Sequence, residues 1–202
     1  MIRLLLVRHG ETDWNREGRY QGRTDVELNE VGIQQAHRLA QRLSSERISA
    51  VYSSDLKRAT RTASIIVALH NVEVTFCEDL RELDMGEFEG KALEKIKDQY
   101  MALEQRWRQG DWSVGAPGGE TLDQMRERID NFIAEIKERR KEGTILVVAH
   151  GGALRTLICR LVGIDYQYWW RMQLSGASIS IIDVFPERSV IVQLNDRCHL
   201  DG

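Results

Sequence analysis

Two short, nearly continuous apolar runs constrain the fold of this chain more than any other sequence feature. Residues 2–7 read IRLLLV and residues 144–149 read TILVVA. A half-exposed strand alternates apolar and polar residues, whereas these runs are mostly apolar at consecutive positions. That pattern is typical of strands buried on both faces, as in a parallel sheet between two layers of helices.

Strand-like and helix-like segments alternate along the rest of the chain. Helices are predicted after an Asn29 cap and at residues 55–70, 93–108, 120–141 and 152–162. Further strands are predicted at residues 50–53 and 72–77, with a closing strand pair at residues 179–184 and 190–194. The alternation predicts an α/β fold of three layers, with a mostly parallel central sheet and helices on both of its faces.

Length, charge and cysteine content narrow the class of protein. The 202 residues include only two prolines and no linker-like stretch, so one domain covering residues 1–202 is expected. A net charge of −3 argues against a nucleic-acid partner. The apolar start is too short to span a membrane, so no membrane partner is expected. The three cysteines are widely spaced and include no CxxC, which favours a reducing, cytoplasmic location.

Three of the predicted strands end on residues that carry chemistry. The first ends on Arg8 and His9, the second is followed by Arg58 one turn into a helix, and the third ends on His150. Since the carboxyl ends of parallel strands meet at one edge of a sheet, these side chains should converge in one crevice. Arginine forks bind phosphate, and a neutral imidazole is a nucleophile for phosphorus. A metal fits poorly beside these arginines, so no metal is predicted.

Five segments, in order, resemble the motifs of the histidine phosphatase (phosphoglycerate mutase-like) superfamily. They are LVRHGET with Asn15, YQGRTDVELNEVG, YSSDLKRATRTA, LRELDMGEFEG and VVAHGG. The resemblance covers nearly the whole chain and is strongest to the phosphatase branch, such as bacterial α-ribazole, phosphoserine and broad-specificity phosphatases. It implies the superfamily's fold, with a small helical lid insertion at about residues 85–117.

The resemblance also implies a role for individual residues. His9 would be the nucleophile that becomes a phosphohistidine. Arg8, Arg58 and His150 would hold the phosphoryl oxygens. Glu82 would protonate the leaving oxygen and then deprotonate the attacking water. The residues implied to help bind the phosphate are Asn15, Gln21, Gly22 and Gly151.

Some assignments stay open at this stage. On sequence alone Asp84, Glu87 and Glu89 could each replace Glu82 as the acid, and Glu82 is chosen because it occupies the family position. His199 lies in a tail that either folds over the site and touches substrate or is an ordinary surface segment. Four tryptophans are expected in the core or the pocket wall, namely Trp107, Trp112, Trp169 and Trp170.

The implied activity is metal-independent hydrolysis of a small phosphorylated metabolite, with no cofactor. One alternative is a cofactor-dependent phosphoglycerate mutase, which the short segment between Glu82 and His150 disfavours. Another is a non-catalytic scaffold that only binds phosphate. The sequence does not decide which phosphate ester is the substrate or whether the chain forms a homodimer.

Overall fold

The structure is a computed structural model that describes residues 1–201. Its strands are β1 (Ile2–Arg8), β2 (Ile48–Ser53), β3 (Val74–Phe76), β4 (Gly143–Ala149), β5 (Ile179–Val184) and β6 (Ser189–Asp196). Its α-helices are α1 (Asp13–Arg16), α2 (Glu30–Leu43), α3 (Lys57–Val67), α4 (Leu93–Arg108), α5 (Leu122–Arg139) and α6 (Gly151–Val162). Short 3₁₀ helices lie at Glu78–Leu80, Gly86–Phe88, Tyr166–Arg171 and Cys198–Leu200.

The strands form one sheet in the order β3-β2-β4-β1-β5-β6. The four strands from β3 to β1 are parallel, and β5 and β6 are antiparallel to their neighbours. This confirms the predicted mostly parallel sheet. Arg8 lies opposite Ala149, and Ser53 lies opposite Val148. The carboxyl ends of β1, β2 and β4 therefore finish at nearly the same level, where the functional residues were expected.

The apolar strands are buried because helices cover both faces of the sheet. Leu4 and Leu6 of β1 pack into one cluster with residues of α5 and α6. Leu5 and Val7 point to the other face, into a cluster that includes Leu39 of α2 and other residues of α2 and α3. Successive side chains of a strand point to opposite faces, so both faces of β1 need apolar residues. This confirms the three-layer arrangement predicted from the nearly continuous apolar runs.

Several element boundaries differ from the predictions. Strand β3 is limited to Val74–Phe76, because only those three residues pair with β2 at the edge of the sheet. Helix α1 was not predicted; it is a four-residue helix in which Thr12 and Asn15 form a capping box. Helix α4 lies within the predicted lid segment. Over residues 1–201, no helix is long and apolar enough to cross a membrane.

Candidate active site

Backbone hydrogen bonds join the three strand ends that were predicted to converge. The His9 N–H donates to the carbonyl oxygen of Ala149 at 3.0 Å, and the Ser54 N–H donates to that of Val148 at 3.0 Å. The imidazole rings of His9 and His150 lie with their centroids 5.1 Å apart. The structure thus brings these residues into one crevice at the edge of a rigid sheet.

The hydrogen bonding of His9 determines which ring nitrogen can react. Its Nδ1 lies 2.7 Å from the carbonyl oxygen of Gly10. A carbonyl oxygen only accepts hydrogen bonds, so we infer that Nδ1 carries the proton and that Nε2 keeps a free lone pair. Burial, together with the charges of Arg58 and Arg8, holds the pKa of His9 well below its usual range. The ring is therefore neutral at neutral pH, as a nucleophile must be.

Arg58 is fully buried, and its guanidinium group is fixed by three hydrogen bonds. It donates to the carbonyl oxygens of Gly22 at 2.7 Å and Thr24 at 2.8 Å, and its Nε donates to His150 Nδ1 at 3.2 Å. Burial lowers the pKa of Arg58 to about 10, which still leaves the group charged at neutral pH. The structure thus holds a preorganised cation against His9, which suits an anionic ligand.

His150 lies behind Arg58, and its implied direct contact with phosphate stays a prediction. It is fully buried, and it is absent from the residues that line the cavity described below. Both ring nitrogens are engaged, since Nδ1 accepts from Arg58 and Nε2 lies 2.8 Å from Ser54 Oγ. Burial, and then the charge of Arg58, holds the pKa of His150 well below its usual range. The neutral ring can therefore orient the guanidinium group of Arg58.

Two further arginines present unsatisfied nitrogen atoms at the cavity. Arg8 donates through Nη1 to the carbonyl oxygen of Leu174 at 2.6 Å. Within residues 1–201, the buried Nε of Arg8 and that of Arg155 have no hydrogen-bond partner. Sequence analysis did not identify Arg155. It follows Gly151 by four positions on α6, so the helical period alone could have placed it on the same face.

Glu82 is fixed in the cavity wall by backbone donors. Its Oε2 accepts from the Gly152 N–H at 3.0 Å, and its Oε1 accepts from the Leu83 N–H at 2.9 Å. The first of these donors belongs to the start of α6, which follows directly from β4. The carboxylate is therefore positioned relative to the same strand ends that carry His9.

The structure separates Glu82 from the other acids that the sequence left open. Asp84 accepts a hydrogen bond from the Gly86 N–H through Oδ1. Glu89 accepts from backbone N–H groups of residues 23, 24 and 85, so it fixes the loop that also binds Arg58. Glu87 is exposed. Of these four acids, Glu82 lines the cavity and the other three do not.

The cavity has a volume of about 280 Å³. Its lining includes all of the predicted site residues except His150 and His199, namely Arg8, His9, Asn15, Gln21, Gly22, Arg58, Glu82 and Gly151. The Asn15 side-chain oxygen accepts from the Thr12 N–H, so its amide nitrogen is the group left for a ligand. The lining also includes five aromatic residues: Tyr20, Tyr100, Trp107, Trp169 and Trp170. Three of the four tryptophans thus line the pocket, and Trp112 packs against the core.

His199 is not among the residues that line the cavity, which favours the second alternative, an ordinary surface segment, over contact with substrate. Its Nε2 lies 3.0 Å from the carbonyl oxygen of Ala177, and the 3₁₀ helix that carries it packs against α2. This contact with Ala177 holds the ring against the segment that leads into β5. In residues 1–201, no group of three or more His, Cys, Asp or Glu side chains could hold a metal ion.

Comparison with known proteins identifies the family. The family model of the histidine phosphatase superfamily (branch 1) matches residues 4–197. The chain belongs to the histidine phosphatase superfamily. This membership, together with its phosphatase relatives, makes it an enzyme of the phosphoric monoester hydrolase class.

Individual relatives of this histidine phosphatase include both hydrolases and a mutase. Phosphoserine phosphatase 1 of Hydrogenobacter thermophilus is 38% identical over 200 residues, which cover 99% of this chain and 95% of that protein. A probable phosphoglycerate mutase of Salmonella choleraesuis is 37% identical, covering 100% and 96%. The crystal structure of a putative α-ribazole-5′-phosphate phosphatase from Escherichia coli superposes with a TM-score of 0.87 at 30% identity, covering 97% of each chain.

Proposed function

We propose that this histidine phosphatase hydrolyses a small phosphorylated metabolite through a phosphohistidine on His9, without a metal or cofactor. One observation carries the proposal: a buried, neutral His9 has Nδ1 fixed on Gly10 and Nε2 free, beside the guanidinium groups of Arg8 and Arg58. The arginines supply the positive charge that magnesium supplies in many other phosphoryl-transfer enzymes.

In the first step, His9 Nε2 attacks phosphorus and the bond between phosphorus and the ester oxygen breaks. Glu82 gives its proton to the departing oxygen, so the leaving group departs as an alcohol. Arg8 and Arg58 bind the phosphoryl oxygens as charge builds up on them. The phosphorylated ring of His9 is cationic, and its Nδ1–H bond to the Gly10 carbonyl stabilises that charge.

In the second step, Glu82 takes a proton from a water molecule, which attacks the phosphorus of the phosphohistidine. The bond between phosphorus and Nε2 breaks, inorganic phosphate leaves, and His9 returns to its neutral form. Glu82 ends the cycle protonated, ready for the next ester. In this scheme His150 is a positioning residue that acts through Arg58.

The relatives suggest which substrates to test first. Phosphoserine and α-ribazole phosphate come from the names of a sequence relative and a structural relative.

We also expect a cytoplasmic location, because Cys77, Cys159 and Cys198 are all free thiols.

A phosphoglycerate mutase is the second candidate, because a relative of similar identity carries that name. A mutase would return the phosphoryl group of the phosphohistidine to a second hydroxyl group of the substrate, whereas a phosphatase gives it to water. Both activities share the first step, so the products distinguish them.

The test measures inorganic phosphate release from phosphoserine, α-ribazole phosphate and 3-phosphoglycerate, with His9→Ala as the control. We expect release by the wild-type enzyme, unaffected by EDTA and inhibited by vanadate, and none by the folded variant. Isomerisation of 3-phosphoglycerate without phosphate release would favour the mutase. Loss of activity with EDTA that magnesium or zinc restores would overturn the metal-free mechanism. The absence of any turnover would favour the non-catalytic scaffold.

A further inference from the structure

Arg155 stands on the cavity wall but has no part in the two proposed chemical steps. Its guanidinium group lies 4.7 Å from the centroid of the Trp169 ring. Stacking on an aromatic face leaves the edge of the guanidinium plane available for hydrogen bonds. The buried Nε has no partner within the described part of the chain, and burial lowers the pKa of the group. This is a fixed donor edge that lacks an acceptor.

The position of Arg155 relative to Glu82 indicates which part of a substrate it would meet. Glu82 accepts a hydrogen bond from the Gly152 N–H at the start of α6, Arg155 lies three residues further along the same helix, and both side chains line the cavity. In the proposed mechanism Glu82 gives its proton to the ester oxygen of the leaving group. Arg155 therefore faces the alcohol portion of the substrate near that oxygen, while Arg58 and His9 face the phosphate.

The balance of charge in the cavity points to an anionic group. Glu82 is the only carboxylate among the described residues that line the cavity, and it must be protonated when the ester bond breaks. Three guanidinium groups, those of Arg8, Arg58 and Arg155, then face a phosphate that carries two negative charges. Arg19, the other cation of the lining, already pairs with Glu17 at 2.8 Å. Because Arg8 and Arg58 are assigned to the phosphate, the buried Nε of Arg155 is the guanidinium nitrogen of the lining that is left without an acceptor.

We propose that Arg155 binds a carboxylate that the substrate carries a few bonds from its ester oxygen, and so selects phosphorylated acids over analogues without that carboxylate. A guanidinium fork matches the two oxygens of a carboxylate in one plane. This inference rests on the proposed function, since it assumes that a phosphate ester occupies the cavity.

Two pairs of substrates isolate the carboxylate. Phosphoserine has a carboxylate that phosphoethanolamine lacks, and the two are otherwise the same. Glycerol 3-phosphate has a hydroxymethyl group in place of the carboxylate of 3-phosphoglycerate. The measured quantity is the ratio of kcat/KM within each pair. In the wild-type enzyme we expect at least one pair to favour the carboxylate member. Arg155→Met should lower that ratio about 10- to 100-fold, the range for a hydrogen bond to a charged group.

Two other variants control the experiment. Arg126 also stacks on a tryptophan, 5.7 Å from the Trp112 ring, but does not line the cavity, so Arg126→Met should keep the wild-type ratio. Arg155→Lys keeps a cation beside Trp169 but loses the fork, so the ratio should fall to an intermediate value. If Arg155→Met fails to fold, this lysine variant decides the question.

The outcomes separate the two proposals. If the wild-type enzyme releases phosphate but prefers the carboxylate member of neither pair, the role of Arg155 is wrong and the phosphatase function stands. The proposed role of Arg155 would also be wrong if Arg155→Met lost the same factor of kcat/KM on both substrates of a pair. A wild-type kcat/KM ratio in Arg155→Lys would overturn that role as well. If no ester is hydrolysed, or His9→Ala hydrolyses them equally well, the proposed function fails and the inference fails with it.

Discussion

Glu82 reaches the cavity because two backbone N–H groups, those of Leu83 and Gly152, hold its carboxylate. An acid in this place matters most when the leaving group is a strong base. Glu82→Gln should therefore slow the cleavage of an alkyl phosphate such as phosphoserine by ~10²–10⁴-fold, the usual contribution of a general acid. Cleavage of p-nitrophenyl phosphate to the phosphoenzyme should suffer much less, because nitrophenolate leaves without a proton.

The same substitution should expose the second role of Glu82. Water attack on the phosphohistidine also needs a base, so rapid mixing with p-nitrophenyl phosphate should give a burst of nitrophenolate followed by a slow steady state. Glu87→Gln is the matched control, because Glu87 belongs to the same segment but is exposed, and it should behave as the wild type. Equal losses on both substrates, without a burst, would mean that Glu82 is only structural.

At the scale of secondary structure elements, the start of α6 requires a glycine at position 152. A Cβ atom there would lie 2.2 Å from Glu82 Oε1, and real Cβ atoms do not approach so closely. Gly152→Ala should therefore displace the carboxylate and reproduce the leaving-group dependence of Glu82→Gln. Steady-state and burst kinetics with phosphoserine and p-nitrophenyl phosphate measure this effect.

Gly163, which ends the same helix, provides the control for this prediction. Its φ of 71° strains any other residue, yet a Cβ atom there would meet nothing within 4 Å. Gly163→Ala should lower stability by roughly 1 kcal/mol and keep the wild-type dependence on the leaving group. A Gly152→Ala enzyme that cleaves phosphoserine as fast as the wild type would contradict the assigned position of Glu82.

At the scale of the whole molecule, the sheet and the meeting of its strand ends could be predicted from sequence. The consecutive apolar residues of β1 require burial on both faces, and Leu4 and Leu5 do enter opposite clusters. The place of His150 behind Arg58 could not be predicted, because it depends on carbonyl groups of a distant loop that turn the guanidinium group. The same holds for Arg155, whose orientation depends on Trp169.

Two buried neutral histidines should make the stability of the whole protein sensitive to acid. Burial lowers the pKa of both His9 and His150 in the folded state, whereas an unfolded histidine titrates near 6.5. The unfolded state therefore binds more protons below that pH, and stability falls as the pH falls. Each histidine that stays neutral down to pH 5.5 in the folded protein should cost about 1.4 kcal/mol of unfolding free energy between pH 7.5 and pH 5.5.

Urea unfolding at the two pH values measures this loss. His9→Gln removes one of the two groups, so the loss should be smaller than in the wild type by about 1.4 kcal/mol. His37 is exposed, and His37→Gln should leave the pH dependence unchanged. If His9→Gln lost as much stability as the wild type, His9 would not be a neutral buried group in the folded protein.

The nucleophilic role of His9 is the central claim, and trapping the phosphoenzyme tests it most directly. Glu82→Gln mixed with p-nitrophenyl phosphate should accumulate the intermediate, because its hydrolysis is slowed. We expect one phosphoryl group per chain, labile to acid and stable to base, which mass spectrometry of peptides locates on His9. The double variant that carries both Glu82→Gln and His9→Ala should have no phosphoryl group. A phosphoryl group on Ser53 or Ser54, or one that persists without His9, would contradict the account.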